Sequence, residues 1–394
     1  MKMSVKRCIS LILGVALLMG ILGTFTACKE HEHAWGDWQE WLQPDCTNYG
    51  ELKRVCKKCD AYEIRKTTKH IYADGECPIC GAKQMYSRVN SLGDIDAAGE
   101  YVLFGSYPQV EVTDEALVAS LNQRAGTLPG TRESYQWVDY RYRLSNKSYA
   151  FMWYQDVEYE GELYRGVYFT NWKPTAKGSG ENVLTSSQHK NGYKKGNVYW
   201  FRFEPIKWRI LEEADGKAFL LSDMIIDNQY LADISEGDVK VIDGRPIYDN
   251  NYEYSRIREW LNASFRTLAF TEAEQSIINL TLVDNNPYDV SLEENPYICD
   301  DTQDYIFYLS KEDLNKSAYG MDGTPETIRK SPTDYAQIEG CTTWETEYGF
   351  WNLRTPSSQF SNILGCVSPN GGVQKMNVTD YVGVVPAMWI TLVE

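Results

Sequence analysis

The sequence of 394 residues has few histidines and few basic residues for its size. It holds 4 histidines and 39 Lys and Arg against 55 Asp and Glu, which gives a formal net charge of −16 at pH 7. Nucleic-acid binding depends on clustered Lys and Arg, so this balance argues against a nucleic-acid partner. The scarcity of histidine leaves His189 as the single histidine base beyond residue 70, and we interpret it as a solvated loop residue rather than part of a catalytic triad.

Long apolar runs are also absent, except at the N-terminus. Three basic residues precede the apolar stretch 9–25, which ends in small residues directly before Cys28. We therefore predict that residues 1–27 are a lipoprotein signal peptide, and that the exported chain is anchored by a lipid on Cys28 to the outer face of the cell membrane. Phe25 departs from the Leu that usually stands there, so a plain signal peptide and an uncleaved anchor are the alternatives. No later segment approaches the roughly 20 apolar residues of a membrane span.

Cysteine and histidine are concentrated in the segment that follows, residues 28–85. Five of the eight cysteines after Cys28 lie there, with two Cys-x-x-Cys pairs, and a His-x-Trp motif at His33 is partly repeated at His70. Pairs of Cys and His at such spacing suit the closed tetrahedral sites of structural Zn²⁺. The predicted zinc ligands are His33, Cys46, Cys56, Cys59, His70, Cys77 and Cys80.

Two arrangements of these ligands fit the spacing. In the first, the two Cys-x-x-Cys pairs face each other as in a zinc ribbon and form one Cys₄ site. In the second, Cys46, Cys56, Cys59 and His70 form a Cys₃His site, and His33 remains with the last cysteine pair in an incomplete second site. Disulfides are the alternative in an exported chain, but five cysteines cannot all pair among themselves.

These residues resemble the zinc-ribbon-like repeats, His-x-Trp followed by Cys-Thr, Gly and Cys-x-x-Cys, of exported proteins from anaerobic Gram-positive bacteria. The resemblance covers roughly 50 residues. It implies that the module is a spacer or docking unit in which the metal supports folding, and it implies no activity.

The larger part of the chain, residues 90–394, reads as a sequence of strands, then short helices, then strands again. Hairpins are predicted at 149–170 and 199–222, where Gly-containing turns separate apolar runs. Apolar residues repeat at helical spacing over 255–265, and N-cap patterns stand at Thr271 and Ser310. Strands return at 350–354 and 382–392. Because strands and helices do not alternate as βαβ units, we predict an α+β domain with an antiparallel or mixed sheet.

Several motifs of this part carry a second resemblance, to an uncharacterised domain family of bacterial surface proteins. The family members are similar to the C-type-lectin-like fold shared with formylglycine-generating enzymes, which implies that a C-terminal strand pairs with the first one. Val385 stands where the family usually has Arg. The matching motifs are Phe-Gly-Ser-Tyr-Pro-Gln (104–109), Glu-Pro-Ile-x-Trp-x-x-Leu (204–211), Ser-x-x-Arg-x-Trp-Leu-Asn (255–262), Trp-x-Leu-Arg (351–354) and Gly-Val-x-Pro-Ala (383–387).

We expect the function of the protein to reside in this larger domain, and two classes of function remain open. We favour a non-catalytic domain that binds an extracellular glycan or peptide, because the 28 tyrosines and 12 tryptophans supply amphipathic rings for stacking. The alternative is an enzyme, related to formylglycine-generating proteins or acting on the cell wall. Cys341 and Cys366 would then be candidates for copper, although buried thiols or a disulfide are the simpler interpretation. The predicted binding residues are Tyr149, Trp153, Tyr159, Tyr164, Tyr168 and Trp172.

Overall fold

The computed structural model divides the chain into two compact units, Met1–Tyr101 with Val393–Glu394, and Val102–Leu392. It describes residues 33–392 except 44, 47–49, 60, 67–75, 82–83, 97–98, 130–135, 144–148, 178, 183–184, 233–239, 286–296, 298, 322–323 and 344–345. The signal peptide, Cys28 and His70 therefore lie outside the described residues. Among those described, no helix is long and apolar enough to cross a membrane.

The first unit contains a small antiparallel sheet and has almost no apolar core. Strand β2 pairs with β1 and β3, and an ion pair of 2.6 Å joins Arg54 and Glu63 at facing positions of β2 and β3. Between residues 33 and 80, the buried apolar side chains of the described part are Cys56, Ala61 and Cys77. The strands are β1 (Gln39–Leu42), β2 (Glu51–Val55), β3 (Tyr62–Lys66) and β4 (Ser87–Val89).

The second unit is built around two hairpins that share one antiparallel sheet. In the first hairpin, Glu160 and Gly161 both have positive φ, and in the second Asp215 and Gly216 do, which is the turn geometry that matches the twist of paired strands. Both predicted hairpins are thus confirmed. Their strands are β7 (Tyr149–Tyr159), β8 (Glu162–Phe169), β9 (Val198–Ala214) and β10 (Lys217–Ser222).

The long strand β9 connects the two hairpins. Its first residues pair with β8 and its last residues pair with β10, so the two apolar runs predicted around Pro205 form one strand of 17 residues. The sheet continues in the order β20-β10-β9-β8-β7-β6, and β5 also pairs with β9. Its other members are β5 (Tyr101–Glu111), β6 (Val138–Arg143) and β20 (Ala387–Thr391).

A second, mixed sheet has the order β11-β19-β16-β17-β18, in which β16 and β19 are parallel. The predicted run 382–392 forms two strands, because Pro386 interrupts it and β20 then pairs with β10 of the first sheet. In the described structure the last strand, β20, thus pairs with β10. The lectin-like resemblance implied a pairing with the first strand of the domain instead. The strands are β11 (Asp227–Gln229), β16 (Trp351–Pro356), β17 (Ile363–Val367), β18 (Val373–Asn377) and β19 (Val382–Val384).

Most helices are short, and one begins after Thr271 as its N-cap pattern predicted, whereas the pattern at Ser310 precedes only a 3₁₀ turn. The Ser255 side chain caps the helix of the 255–265 pattern, which places Ile257, Leu261 and Phe265 in the core. Arg258 on the same helix forms an ion pair of 2.6 Å with the buried Asp304. Thr271 and Glu274 form a capping box. The helices are α1 (Glu115–Ala125), α2 (Ser187–Lys190), α3 (Arg256–Trp260), α4 (Arg266–Ala269), α5 (Glu272–Ile277), α6 (Pro325–Ile328) and α7 (Asp334–Ile338).

Minor elements complete the unit. A π-helical turn over Leu261–Phe265 joins α3 to α4, and 3₁₀ turns lie at Asp313–Asn315 and Ser317–Tyr319. The two-stranded pairs are β12 (Lys240–Ile242) with β13 (Arg245–Ile247), and β14 (Thr281–Val283) with β15 (Thr302–Asp304). The prediction of an α+β fold with antiparallel and mixed sheets is therefore confirmed at this level.

Gly105, in the first motif of the domain, is expected to tolerate no side chain. Its φ is +67°, and an added Cβ would lie 2.4 Å from Phe270 Cε1 and 2.8 Å from the Ala269 carbonyl oxygen. Gly105→Ala should lower the free energy of unfolding by about 1–3 kcal/mol, from backbone strain and overpacking together. Chemical denaturation measures this change. Gly196→Ala, at φ +83° in open space, is the control and should cost only the backbone strain.

Candidate metal centres and a polar cleft

The first candidate metal centre consists of His33, Cys56 and Cys59. One ligand atom from each residue lies within 4.8 Å of the others, and the Cys59 Sγ is 3.6 Å from His33 Nδ1. A β-bridge between Trp35 and Cys56 brings the segment after His33 beside the end of β2. The His33 ring stacks on Trp35 at 4.8 Å between centroids, which fixes the orientation of the imidazole.

The second candidate metal centre consists of Cys46, Cys77 and Cys80. Their sulfur atoms lie within 4.8 Å of one another, with 3.5 Å between the Sγ atoms of Cys46 and Cys77. The turn after the pair closes with a hydrogen bond from Gly81 N–H to the Cys77 carbonyl, and Gly81 has a φ of +73°. Gly takes this conformation at little cost, so Gly81 suits a tight turn directly after the Cys-x-x-Cys pair.

Both groups have the dimensions of a tetrahedral metal site. With Zn–S bonds of about 2.3 Å and Zn–N bonds of about 2.0 Å, two ligand atoms of one ion are separated by about 3.5–3.8 Å. The two distances of 3.5 Å and 3.6 Å agree with that separation. The described residues supply three donors to each group, so each could hold one metal ion.

This grouping differs from both arrangements considered for the sequence. Each Cys-x-x-Cys pair forms its own centre, so the pairs do not face each other in one Cys₄ site. Cys46 joins the second pair rather than the first. Cys46 has a φ of +71°, an uncommon backbone conformation for a residue other than Gly, and this feature is not visible in a ligand spacing.

The aromatic residues predicted to bind a ligand are placed largely in a core. Trp153 and Tyr164 are buried and pack with Trp200 and Leu121 of helix α1, while Tyr159 and Tyr168 are partly buried against the same cluster. Trp172 is buried separately, beside Phe169. The side chain of Tyr149 lies outside the described part. An amphipathic helix covers this face of the hairpin, so its described rings do not form an open stacking surface.

A cleft of about 490 Å³ opens elsewhere in the second unit. Its lining comes from residues that follow strand β8, from Asn228 of strand β11, from residues just after helix α7, and from residues of strands β18 and β19. Its lining is mixed, with the apolar side chains of Phe350 and Met376 beside five charged ones. The charged side chains are Lys173, Glu181, Lys190, Glu339 and Asp380.

A buried ion pair forms the floor of this cleft. Lys173 Nζ lies 2.7 Å from Glu339 Oε2, and both side chains are 2% exposed. Lys173 also donates to the Asn228 carbonyl at 3.0 Å, and the Tyr154 hydroxyl donates to Glu339 Oε1 at 2.8 Å. Burial raises the pKa of Glu339, although Lys173 opposes this effect. The floor is therefore a preorganised polar network.

Sequence reasoning missed the residues of this cleft. Lys173 and Glu339 are 166 positions apart, and neither stands in a motif that indicates a site. Lys173 lies in the segment Asn-Trp-Lys-Pro at 171–174, and Glu339 lies at a helix end before Gly340. Neither local feature predicts a contact between the two side chains.

The cysteines of the second unit are buried thiols. Cys299, Cys341 and Cys366 are free, and burial raises the pKa of Cys341 and of Cys366 to about 12. At neutral pH both are protonated, the less reactive form. His189 is exposed on helix α2.

The architecture defines a mostly β α+β domain preceded by a small Cys/His unit. Residues 215–392, from the turn before β10 to the end of the domain, match a family described as "Domain of unknown function (DUF6273)". No curated protein and no solved structure matches the chain. The match agrees with an uncharacterised domain family over that part of the sequence.

Proposed function

We propose that this is an exported, lipid-anchored surface protein with two working parts. The first unit is a spacer or docking module folded around two zinc ions, and the second is a non-catalytic domain that binds an extracellular ligand. The observation that carries the metal-binding part is the presence of two separate Cys/His groups, each with its ligand atoms within 4.8 Å.

Folding physics supports a structural role for the metal. Only three apolar side chains are buried between residues 33 and 80 in the described part, and two of them are the cysteines Cys56 and Cys77. A segment of this size cannot offset its conformational entropy with so small a core, and metal coordination is the usual substitute. Thiolate and imidazole donors favour zinc among the common ions. His70 is the remaining proposed ligand and would complete one of the two centres.

Metal analysis of the purified chain tests this proposal. We expect two zinc ions per chain, and we expect that Cys56→Ser/Cys59→Ser and Cys77→Ser/Cys80→Ser each lose one ion. Each pair belongs to a different centre, so removing one leaves the other occupied. Cys341→Ala is the control outside the module and should retain both ions. One ion that requires all four of these cysteines, or a chain with disulfides and no metal, would contradict the proposal.

For the second unit, we propose binding rather than catalysis on the basis of its cleft. The enzyme alternative places copper on Cys341 and Cys366, which are buried free thiols, and burial raises the pKa of each to about 12. The cleft above the Lys173–Glu339 pair has the size of a small-ligand site, for which about 300–1,000 Å³ is usual. Binding in this cleft is the role that we propose for the domain.

A further inference from the structure

The lining of the cleft includes the carboxylate of Glu181. Both of its oxygens are buried, and neither accepts a hydrogen bond of normal geometry from the described residues. Burial raises the pKa of Glu181 to about 7, although the Ser186 hydroxyl, the Ser187 N–H and Lys190 each lower it. A buried carboxylate without well-formed hydrogen bonds costs stability, so its place beside a cleft indicates a ligand group that pairs with it.

One side-chain atom of Asn228, at the same cleft, also lacks a hydrogen bond from the described residues. Asn228 is 1% exposed, and its Nδ2 and backbone groups are hydrogen-bonded to Glu339 and Asp227, yet its Oδ1 accepts no hydrogen bond from the described residues. Asp380 also lines the cleft, and burial raises its pKa, although a hydrogen bond from the Asn377 backbone opposes this effect. Two acceptor groups, the Glu181 carboxylate and Asn228 Oδ1, thus line one cavity without hydrogen bonds of normal geometry from the described residues.

The charged side chains that line the cleft indicate which kind of hydrogen-bond donor a ligand should carry. Lys173 is already paired with Glu339, which leaves Lys190 against the two carboxylates of Glu181 and Asp380. The described residues gather metal-binding atoms within 4.8 Å only in the two N-terminal groups, so these carboxylates do not form a ready metal site. A ligand that carries positive charge on hydrogen-bond donors fits this balance.

We propose that the cleft binds the primary ammonium group of a peptide, from a lysine-like side chain or a free N-terminus, with Glu181 as its carboxylate partner. The inference rests on the proposed binding role of the second unit and names its ligand class. Phe350 and Met376 supply the apolar surface against which the alkyl part of such a chain packs. A peptide is favoured over a neutral glycan, because a neutral sugar leaves the carboxylates of Glu181 and Asp380 uncompensated.

The test is calorimetric titration of the purified chain with Nα-acetyl-lysine methylamide at pH 6 and pH 8. The probe stays protonated over this range, whereas a carboxyl group with a pKa of about 7 is roughly nine-tenths protonated at pH 6. Because binding requires the ionised form, affinity should be about tenfold weaker at pH 6 than at pH 8. Glu181→Gln should weaken binding at pH 8 by about tenfold or more and abolish the pH dependence.

Controls separate the charge from other causes. Glu259→Gln changes an exposed carboxylate of helix α3 outside the cleft and should leave affinity and its pH dependence unchanged. Gln has the shape of Glu and keeps one acceptor oxygen for the Ser186 and Ser187 contacts, so the variant should remain folded, which circular dichroism verifies. The Nε-acetylated probe keeps the alkyl chain but carries a neutral amide in place of the charge, and it should not bind. Glucosamine distinguishes an amino sugar as the source of the ammonium group.

Other outcomes overturn the inference. Equal binding of the Nε-acetylated probe, or of N-acetylglucosamine, would show a neutral ligand, so that the binding role stands and the ammonium inference fails. Preference for glucosamine over the lysine probe would replace the peptide by a sugar. If none of the four compounds binds at millimolar concentration, the inference fails together with the proposed binding role of the cleft, while the metal measurements on the first unit are unaffected.

Discussion

Treatment of the purified chain with a chelator should unfold the segment 33–80 and leave the second unit folded. Structural zinc supplies about 10 kcal/mol or more of folding free energy in small modules, and this segment has almost no apolar core to replace it. Amide hydrogen exchange measures the result. Protection in strands β1–β3 should be lost, while strands β9 and β10 should keep theirs, since each pairs with a strand on both sides within the large sheet.

The reverse experiment provides the control for metal loss. Adding zinc to the chelated chain should restore protection in β1–β3, and the double variant Cys56→Ser/Cys59→Ser should recover only part of it, because one centre remains. Retention of full protection after complete metal removal would show that the strands fold without an ion and would refute the structural role.

Breaking the buried ion pair of the cleft should have the largest effect in the second unit. Glu339→Gln leaves the Lys173 ammonium, which is 2% exposed, without its charged partner. Removing one member of such a pair typically costs about 3–5 kcal/mol, because the remaining charge is buried without compensation. Chemical denaturation of the second unit should therefore show a lower midpoint with a similar slope.

Two variants show whether the loss comes from the orphaned charge. The double variant Lys173→Met/Glu339→Leu removes both charges and should recover much of the stability. Asp300→Asn breaks the exposed pair with Arg245, whose members are 49% and 65% exposed, and should produce no measurable change. A double variant as unstable as Glu339→Gln would instead locate the loss in the hydrogen bonds of Tyr154 and Asn228.

Local patterns predicted much of the fold. Some features depend only on residues that are close in sequence, and these can be predicted without knowledge of the fold. They are the hairpin turns at Glu160-Gly161 and Asp215-Gly216 and the capping box at Thr271. The route of the last strand was not predictable, because its partner β10 lies more than 160 residues earlier in the chain.

The sequence by itself determined which residues are able to bind metal, because Cys and His donors are rare and their pairing in Cys-x-x-Cys turns is local. The tertiary structure decided how they group, since Cys46 reaches Cys77 across 31 residues. It likewise decided that the tyrosines and tryptophans of the first hairpin pack beneath helix α1, and that Lys173, Glu181 and Glu339 line one cleft. Both outcomes depend on packing between residues that are far apart in the sequence, and a local residue pattern does not show such contacts.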